Sequence, residues 1–356
     1  MLHPLITMDF SLLQEHTVEI YQLKSHDCKV DKVPARSLLA PQRFDLFAKL
    51  FYISNLENDR DNALKVYNEH IKAFNPDGKE PGREDKNGIN DFVAAFDHII
   101  DQFRNHEFDD TISIIPVDKN GVILDGAHRV AALAYFNREV TIARFDDVEP
   151  KCDFDYNYFK NRGLPWDVAD VIALEMVKWL DQLLVACLWP STDGQQKQSV
   201  VDEIAARHLV AYRKDIRCDL RSLANFVGYI YRGQDWTRNA DYVLDKASRV
   251  YGKSSLSLVL FVSGTSLDQI LAEKDKIRQM IGKGKDSLHI ADNHDETMDI
   301  AAVTLDKSRQ SQWMASQTLG LLNSFADSVK EHWLIFKKVK WIAFKVRVSH
   351  WINRIR

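Results

Sequence analysis

The densest chemistry in this sequence lies in one run, Ile115-Pro-Val-Asp-Lys-Asn-Gly-Val-Ile-Leu-Asp-Gly-Ala-His-Arg-Val-Ala-Ala132. Within it, Asp125, Gly126, Ala127, His128 and Arg129 stand where a short strand, Val122–Leu124, gives way to a helix, Val130–Phe136. The first turn of a helix leaves backbone N–H groups unpaired, and with the helix dipole they favour an anion. Gly126 lets the chain turn tightly and lets a ligand approach the backbone. His128 and Arg129 fall in that first turn, where Arg can fork onto a phosphate. Asp125 is placed either to cap the helix or to hold a metal on the phosphate. One at a time, these residues also read as a cap, a turn glycine and a surface charge. The complete strand–DGAHR–helix pattern points to phosphate binding.

Two further groups can bear chemistry. In Arg43-Phe-Asp-Leu-Phe-Ala-Lys-Leu-Phe-Tyr52, Asp45 and Lys49 stand four apart. One reading is a surface ion pair worth about 0.3–0.5 kcal/mol. The other places Arg43 and Lys49 on the phosphate, with Asp45 as base or metal ligand; Glu69 and His70 are weaker candidates for the same role. The second group is Lys283–Thr297, which contains Lys285, Ser287, His289, Asp292, His294, Asp295 and Glu296. It reads as a metal site, as a phosphate or sugar-phosphate site built on Lys283, Lys285 and Ser287, or as a capping loop. The spacing matches no metal signature. Gln234, Asp235 and Trp236, in Tyr231-Arg-Gly-Gln-Asp-Trp236, are suited to hydrogen bonding and stacking on a sugar, or to ending a helix.

These residues need elements to position them. Alternation in Thr17–Leu23 predicts a strand, and three-and-four apolar spacing predicts helices over Leu38–Tyr52, Arg60–Phe74 and Asn90–Phe103. Asn75–Gly88, polar and rich in Pro and Gly, reads as a mobile loop, either a lid or a surface excursion. Strands are expected at Ile112–Val117, Val122–Leu124 and Val140–Phe145, with a turn at Asp118–Gly121. A composition shift at 150–165 marks a domain boundary. Beyond it, helices are predicted over Val168–Leu188, Ser199–Tyr212, Leu220–Tyr231, Leu267–Ile281 and Asp295–Leu305, with strands at Leu256–Val262 and Asp286–Ala291. The expected class is α/β (α+β): residues 1–150 as one domain, 151–330 as a helix-rich second domain, and 331–356 as a tail.

Composition limits the function. The chain has 356 residues, 45% hydrophobic and 28% charged, which suits one or two packed cores. With 47 basic and 51 acidic residues, a net charge of -4 argues against a protein that coats nucleic acid. Cys28, Cys152, Cys187 and Cys218 are scattered without CxxC spacing, so neither a disulfide scaffold nor a zinc ribbon is expected, and a reducing cytoplasm fits. The start of the chain shows no signal peptide, and no apolar run is long enough to span a membrane. Residues 331–356 carry seven Lys or Arg against one acid, Glu331, with Trp333, Trp341 and Trp351. That combination suits an anionic membrane surface, although docking onto the chain's own core or onto nucleic acid fits it as well.

The segment 88–147, about a sixth of the chain, resembles the ParB/sulfiredoxin-like superfamily. It has the helix, the strand ending in Ile-Pro-Val, the turn, and Ile-Leu-Asp-Gly-Ala-His-Arg in order. The resemblance implies that the turn cradles nucleotide phosphates, with Gly126, Ala127, His128 and Arg129 as phosphate ligands and Asp125 at the acidic position of the free-serine kinases. Sulfiredoxins place a reactive Cys where Ala127 stands, which excludes their chemistry. The partition proteins have an acid where His128 stands, and they carry a helix-turn-helix that is not evident here. The phrase Ser287-Leu-His-Ile-Ala-Asp292 followed by Glu296-Thr297, with Arg43-Phe-Asp-Leu, also resembles uncharacterised bacterial surface-glycan proteins. The implied function is a cytoplasmic, peripheral-membrane kinase that uses ATP or ADP with Mg²⁺ on a hydroxyl of a small molecule or sugar. The alternatives are a nucleotide-gated nucleic-acid-binding module, or a transferase with its chemistry in the second domain.

Overall fold

The computed structural model describes residues 8–80 and 83–314. The chain folds as a mixed α/β protein of the α+β type, in two compact units that divide between Leu180 and Asp181. The composition shift near residue 150 is therefore internal to the first unit. The reason is the helix Trp166–Trp179, whose Val168, Ile172, Ala173 and Met176 are buried and which packs on helices of that unit.

The first unit runs α1 (Glu15–Tyr21), β1 (Lys29–Pro34), α2 (Phe44–Asn55), α3 (Arg60–Phe74), β2 (Lys79–Glu80), β3 (Arg83–Asn87), α4 (Ile89–Asn105), β4 (Ile115–Val117), α5 (Ala127–Tyr135), β5 (Glu139–Arg144), α6 (Tyr156–Asn161) and α7 (Trp166–Trp179). Its main sheet has the order β1-β5-β4. β1 runs antiparallel to β5, pairing Lys29 with Arg144 and Pro34 with Glu139. β4 runs parallel to β5, with Ile115 opposite Ile142. Parallel neighbours need a crossover, and α5 supplies it. α2 packs against α3, α5 and α7. α4 buries Phe92, Phe96, Ile100 and Phe103, one face at helical spacing.

Three expectations for this unit give way. Thr17–Leu23 is not a strand: Glu15–Tyr21 forms two turns of helix, ended by Gln22 in the left-handed conformation (φ 52°). The adjacent Thr17 and Val18 are both buried, which the alternating faces of a half-buried strand would not allow. Asn75–Gly88 is not a structureless loop, since β2 and β3 pair as a short hairpin that joins Lys79 to Asn87. Val122–Leu124 is too short to form a ladder, and only Val117 bridges Ile123.

The second unit runs β6 (Leu183–Leu188), α8 (Gly194–Ala205), β7 (Leu209–Ile216), α9 (Leu220–Ile230), α10 (Ala240–Val250), β8 (Leu256–Val262), α11 (Leu267–Ile281), β9 (Leu288–Ile290), α12 (His294–Leu305) and α13 (Lys307–Met314). Its sheet has the order β7-β8-β6-β9, and every neighbouring pair is antiparallel. One face carries Leu184, Ala186, Leu188, Val259 and Phe261, which pack with Ile204 of α8 and with Ile270 and Ile277 of α11. α12 packs on β6 as well. Trp313 closes the described chain: its indole Nε1 donates to Val303 O at 2.7 Å, and its ring lies 5.2 Å from that of Phe226.

The expected helix Val168–Leu188 is in fact a helix followed by a strand. Leu183–Leu188 is buried throughout, and a strand covered on both faces shows no alternation to separate it from a helix. Ser199–Tyr212 splits in the same way. α8 is set by Asp193, whose carboxylate accepts from Gln196 N at 2.8 Å in a capping box, and it ends at Ala205 before β7 begins at Leu209. The predicted tail, 331–356, lies outside the described residues.

Candidate functional site

The Asp118 carboxylate shapes the approach to α5. Its Oδ1 accepts from Asn120 N and Val122 N, both at 2.8 Å, which closes the turn that sends the chain back along β4. Leu124 N then donates to Pro116 O at 2.9 Å. Gly126 follows as the residue that opens α5, in the left-handed conformation (φ 86°, ψ 22°), and no side chain caps the helix. A Cβ there would lie 2.4 Å from Ile115 Cδ1 and 2.9 Å from Arg129 Nη2. Both conformation and space therefore require glycine.

Asp125 is thus not the cap. It precedes the capping residue, and its Oδ2 accepts from Arg129 Nη2 at 3.3 Å. Arg129 Nη1 also donates to Ser113 Oγ. His128 Nε2 lies 2.9 Å from the buried Tyr67 hydroxyl, and its ring meets Phe96 edge-on at 4.8 Å. The Asp125 and Arg129 side chains are a quarter and a fifth exposed, and Ala127, His128 and Arg129 are half-buried. The structure thus brings together the expected residues of the Asp-Gly-Ala-His-Arg run, with side chains pinned and partly open to solvent.

Arg43, Asp45 and Lys49 take a different place. Arg43 Nε and Nη2 donate to the two oxygens of Asp45, each at 2.9 Å, and Lys49 Nζ donates to Asp45 Oδ2 at 3.0 Å. Arg43 Nη1 reaches Ile123 O at 2.7 Å, which ties the start of α2 to the segment leading into Asp125. The three side chains are no more than 5% exposed. Burial alone would raise the Asp45 carboxyl, but Arg43 and Lys49 outweigh it and hold it well below the usual carboxylate range. A buried carboxylate held anionic by two cations is a poor proton acceptor. Asp45 is therefore corrected from base to anchor, and Arg43 and Lys49 from phosphate ligands to its partners. They still contribute to the site's field, since Asp125 is among the charges acting on Arg43.

His70, which lies beside this cluster, is fully buried among the rings of Tyr67, Phe74 and Phe159, at 6.2, 6.0 and 5.1 Å. Neither of its ring nitrogens has a hydrogen-bond partner among the described residues. Burial, and then the Lys49 charge, hold the imidazole well below its ordinary value of 6.5. Glu69 instead faces outward in an ion pair with Lys72 at 2.6 Å. Tyr67 and Ser113, which fix His128 and Arg129, gave no sign in the sequence, because what marks them is proximity across the fold.

In the second unit, the Lys283–Thr297 cluster divides. Lys285, His289 and Asp292 line a cleft of about 720 Å³. Tyr231, Gln234 and Trp236 line the same cleft, so two runs that stand apart in sequence meet. Ser287 is fully buried and is not part of the lining. His294 lies outside it too, with Nε2 4.0 Å from Asp181 Oδ1. His289 Nε2 lies 3.0 Å from Glu296 Oε1. Burial would raise the Glu296 carboxyl, yet His289 and the Asp292 amide bring it below the ordinary range.

Among the described residues, no group of three or more His, Cys, Asp or Glu side chains is arranged to hold a metal. A metal at Asp125 would therefore take most of its ligands from phosphate and water, as Mg²⁺ commonly does. Asp125 fits that role with Oδ1, which no described residue engages. All four cysteines are free. No described helix is long and apolar enough to cross a membrane. No family model matches the chain, and neither a curated protein nor a solved structure matches it.

Proposed function

We propose that this protein is a nucleotide-dependent kinase that transfers a phosphoryl group from ATP or ADP to a hydroxyl of a small molecule or sugar. One observation carries the reading: α5 opens on a left-handed glycine with no side-chain cap, between a carboxylate and a guanidinium that remain partly open to solvent. Phosphoryl transfer asks the protein mainly to position phosphates and neutralise their charge. In this reading the first-turn amides of α5 receive phosphate oxygens, and Arg129 adds positive charge from the side. Asp125 would hold Mg²⁺, which would supply charge neutralisation on the phosphates. His128, pinned by Tyr67, stands at the same opening to move a proton. The acceptor class and a setting in surface-polysaccharide assembly at the inner face of a membrane follow from the sequence resemblance.

The test is nucleotide turnover by the full chain, with ATP or ADP against a panel of sugars and amino acids. Transfer to one acceptor class is expected, with Asp125→Asn slower by about a hundredfold or more. Turnover absent across the panel, or undiminished in Asp125→Asn, would overturn the reading. A second reading, a transferase with its chemistry in the second unit, is favoured by the cleft at Trp236 and His289. It differs in predicting that changes at His289 stop activity.

A further inference from the structure

We propose that the cleft of the second unit binds a phosphate monoester carried on a polar ring, the class of hexose phosphates and nucleoside monophosphates. The inference stands apart from the reading of the first unit, because it rests on residues between Tyr231 and Glu296 alone.

Charge comes first. Four carboxylates line the cleft: Asp245, Asp286, Asp292 and Glu296. Each is already met by a positive or imidazole group of the same cleft. Arg249 donates to Asp245 and, through Nε at 2.8 Å, to Asp286; Lys246 also donates to Asp286. Lys274 donates to Asp292, and His289 stands against Glu296. Two cations of the lining, Arg278 and Lys285, are not matched to its carboxylates. Arg278 turns Nη1 to Asp275, outside the lining, at 2.9 Å, while its Nε is buried without a hydrogen-bond partner. Lys285 is exposed and makes no ion pair with any described residue. With the five cations Lys246, Arg249, Lys274, Arg278 and Lys285 against four carboxylates, the lining carries net positive charge and attracts an anion. The exposed Lys285 ammonium and the Arg278 guanidinium, both on this lining, suit phosphate oxygens.

Shape supplies the rest of the ligand. Tyr231 and the half-buried Trp236 pack with ring centres 5.3 Å apart, and Tyr231 meets His289 edge-on at 5.2 Å. Tyr242 adds an aromatic ring that is 59% exposed. Exposed aromatic faces inside a concavity are a stacking platform for a flat or chair-shaped ring. Gln234 brings an amide to the same wall. A volume of about 720 Å³ falls within the range of small-molecule sites, about 300–1,000 Å³. That leaves room for a ring in addition to a phosphate.

The experiment is calorimetric titration of the full chain with glucose 1-phosphate, uridine monophosphate, glucose and inorganic phosphate. At least one ester is expected to bind about tenfold or more tighter than either inorganic phosphate or free glucose. Whichever ester binds tighter assigns the sugar or the nucleotide source. Lys285→Ala and Trp236→Ala are each expected to weaken that ester about fivefold or more. Lys285 is exposed and unpaired, so its variant keeps the wild-type melting temperature and cannot fail merely by unfolding. Failure of both esters to bind, binding no tighter than inorganic phosphate, or binding that survives Lys285→Ala unchanged would overturn the proposal.

Discussion

Asp45 illustrates what a single residue contributes here. Its carboxylate is enclosed and bonded on both oxygens by Arg43 and Lys49. Removing one member of a buried ion cluster leaves uncompensated charge, at a cost of about 3–5 kcal/mol. Asp45→Ala should therefore lower stability by that amount in urea unfolding, and a loss below about 1 kcal/mol would show that the cluster is solvated. His70 adds a pH dependence. Its folded-state proton affinity lies well below that of the unfolded chain, which titrates near 6.5. The unfolded state therefore binds the proton first, and stability falls as pH drops below about 6.5. Asp45, depressed in the folded state, contributes a second loss only as pH falls below 3.8. Melting temperature measured from pH 7 to pH 5 should decline in the wild type and decline less in His70→Phe, and an equal decline in both would remove His70 as the cause. The sequence showed the spacing of Asp45 and Lys49 but not which side of α2 the fold covers. A pair that reads as a surface bridge is in fact interior.

At the scale of elements, α5 depends on its opening. Gly126→Ala places a Cβ against Ile115 and holds alanine in the left-handed region, which costs about 1–2 kcal/mol before any steric term. The variant should unfold at lower denaturant concentration and, on the proposed function, lose nucleotide affinity out of proportion to that loss of stability. Equal nucleotide binding by wild type and Gly126→Ala would separate the helix opening from function. Elements with chemical punctuation were legible. Leu267–Ile281 reads correctly because Ser266 and Gln269 form a capping box at one end and Gly282, at φ 74°, ends the other. β6 and β7 were hidden, because each follows a helix without a Gly or Pro break and their apolar runs lack the alternation that marks a strand. The phosphate-site candidate was legible because its signal is local: strand, glycine and helix start are contiguous. The cleft was legible only in two separate halves, Tyr231–Trp236 and Lys283–Thr297, whose meeting depends on how α10, α11 and β9 pack.

For the whole molecule, the division at Leu180–Asp181 leaves the uncapped opening of α5 in one folded unit and the aromatic and cationic cleft in the other. On the proposed function, the start of α5 binds nucleotide phosphate. The most direct measurement is thermal unfolding of the full chain and of Arg129→Ala, each with and without millimolar ATP or ADP and Mg²⁺. A ligand present at a hundred times its dissociation constant stabilises the folded state by about 2.7 kcal/mol. Binding at α5 should raise the wild-type melting temperature with one of the nucleotides and leave that of Arg129→Ala unchanged. Unchanged wild-type melting with both nucleotides, or an equal rise in the variant, would contradict it.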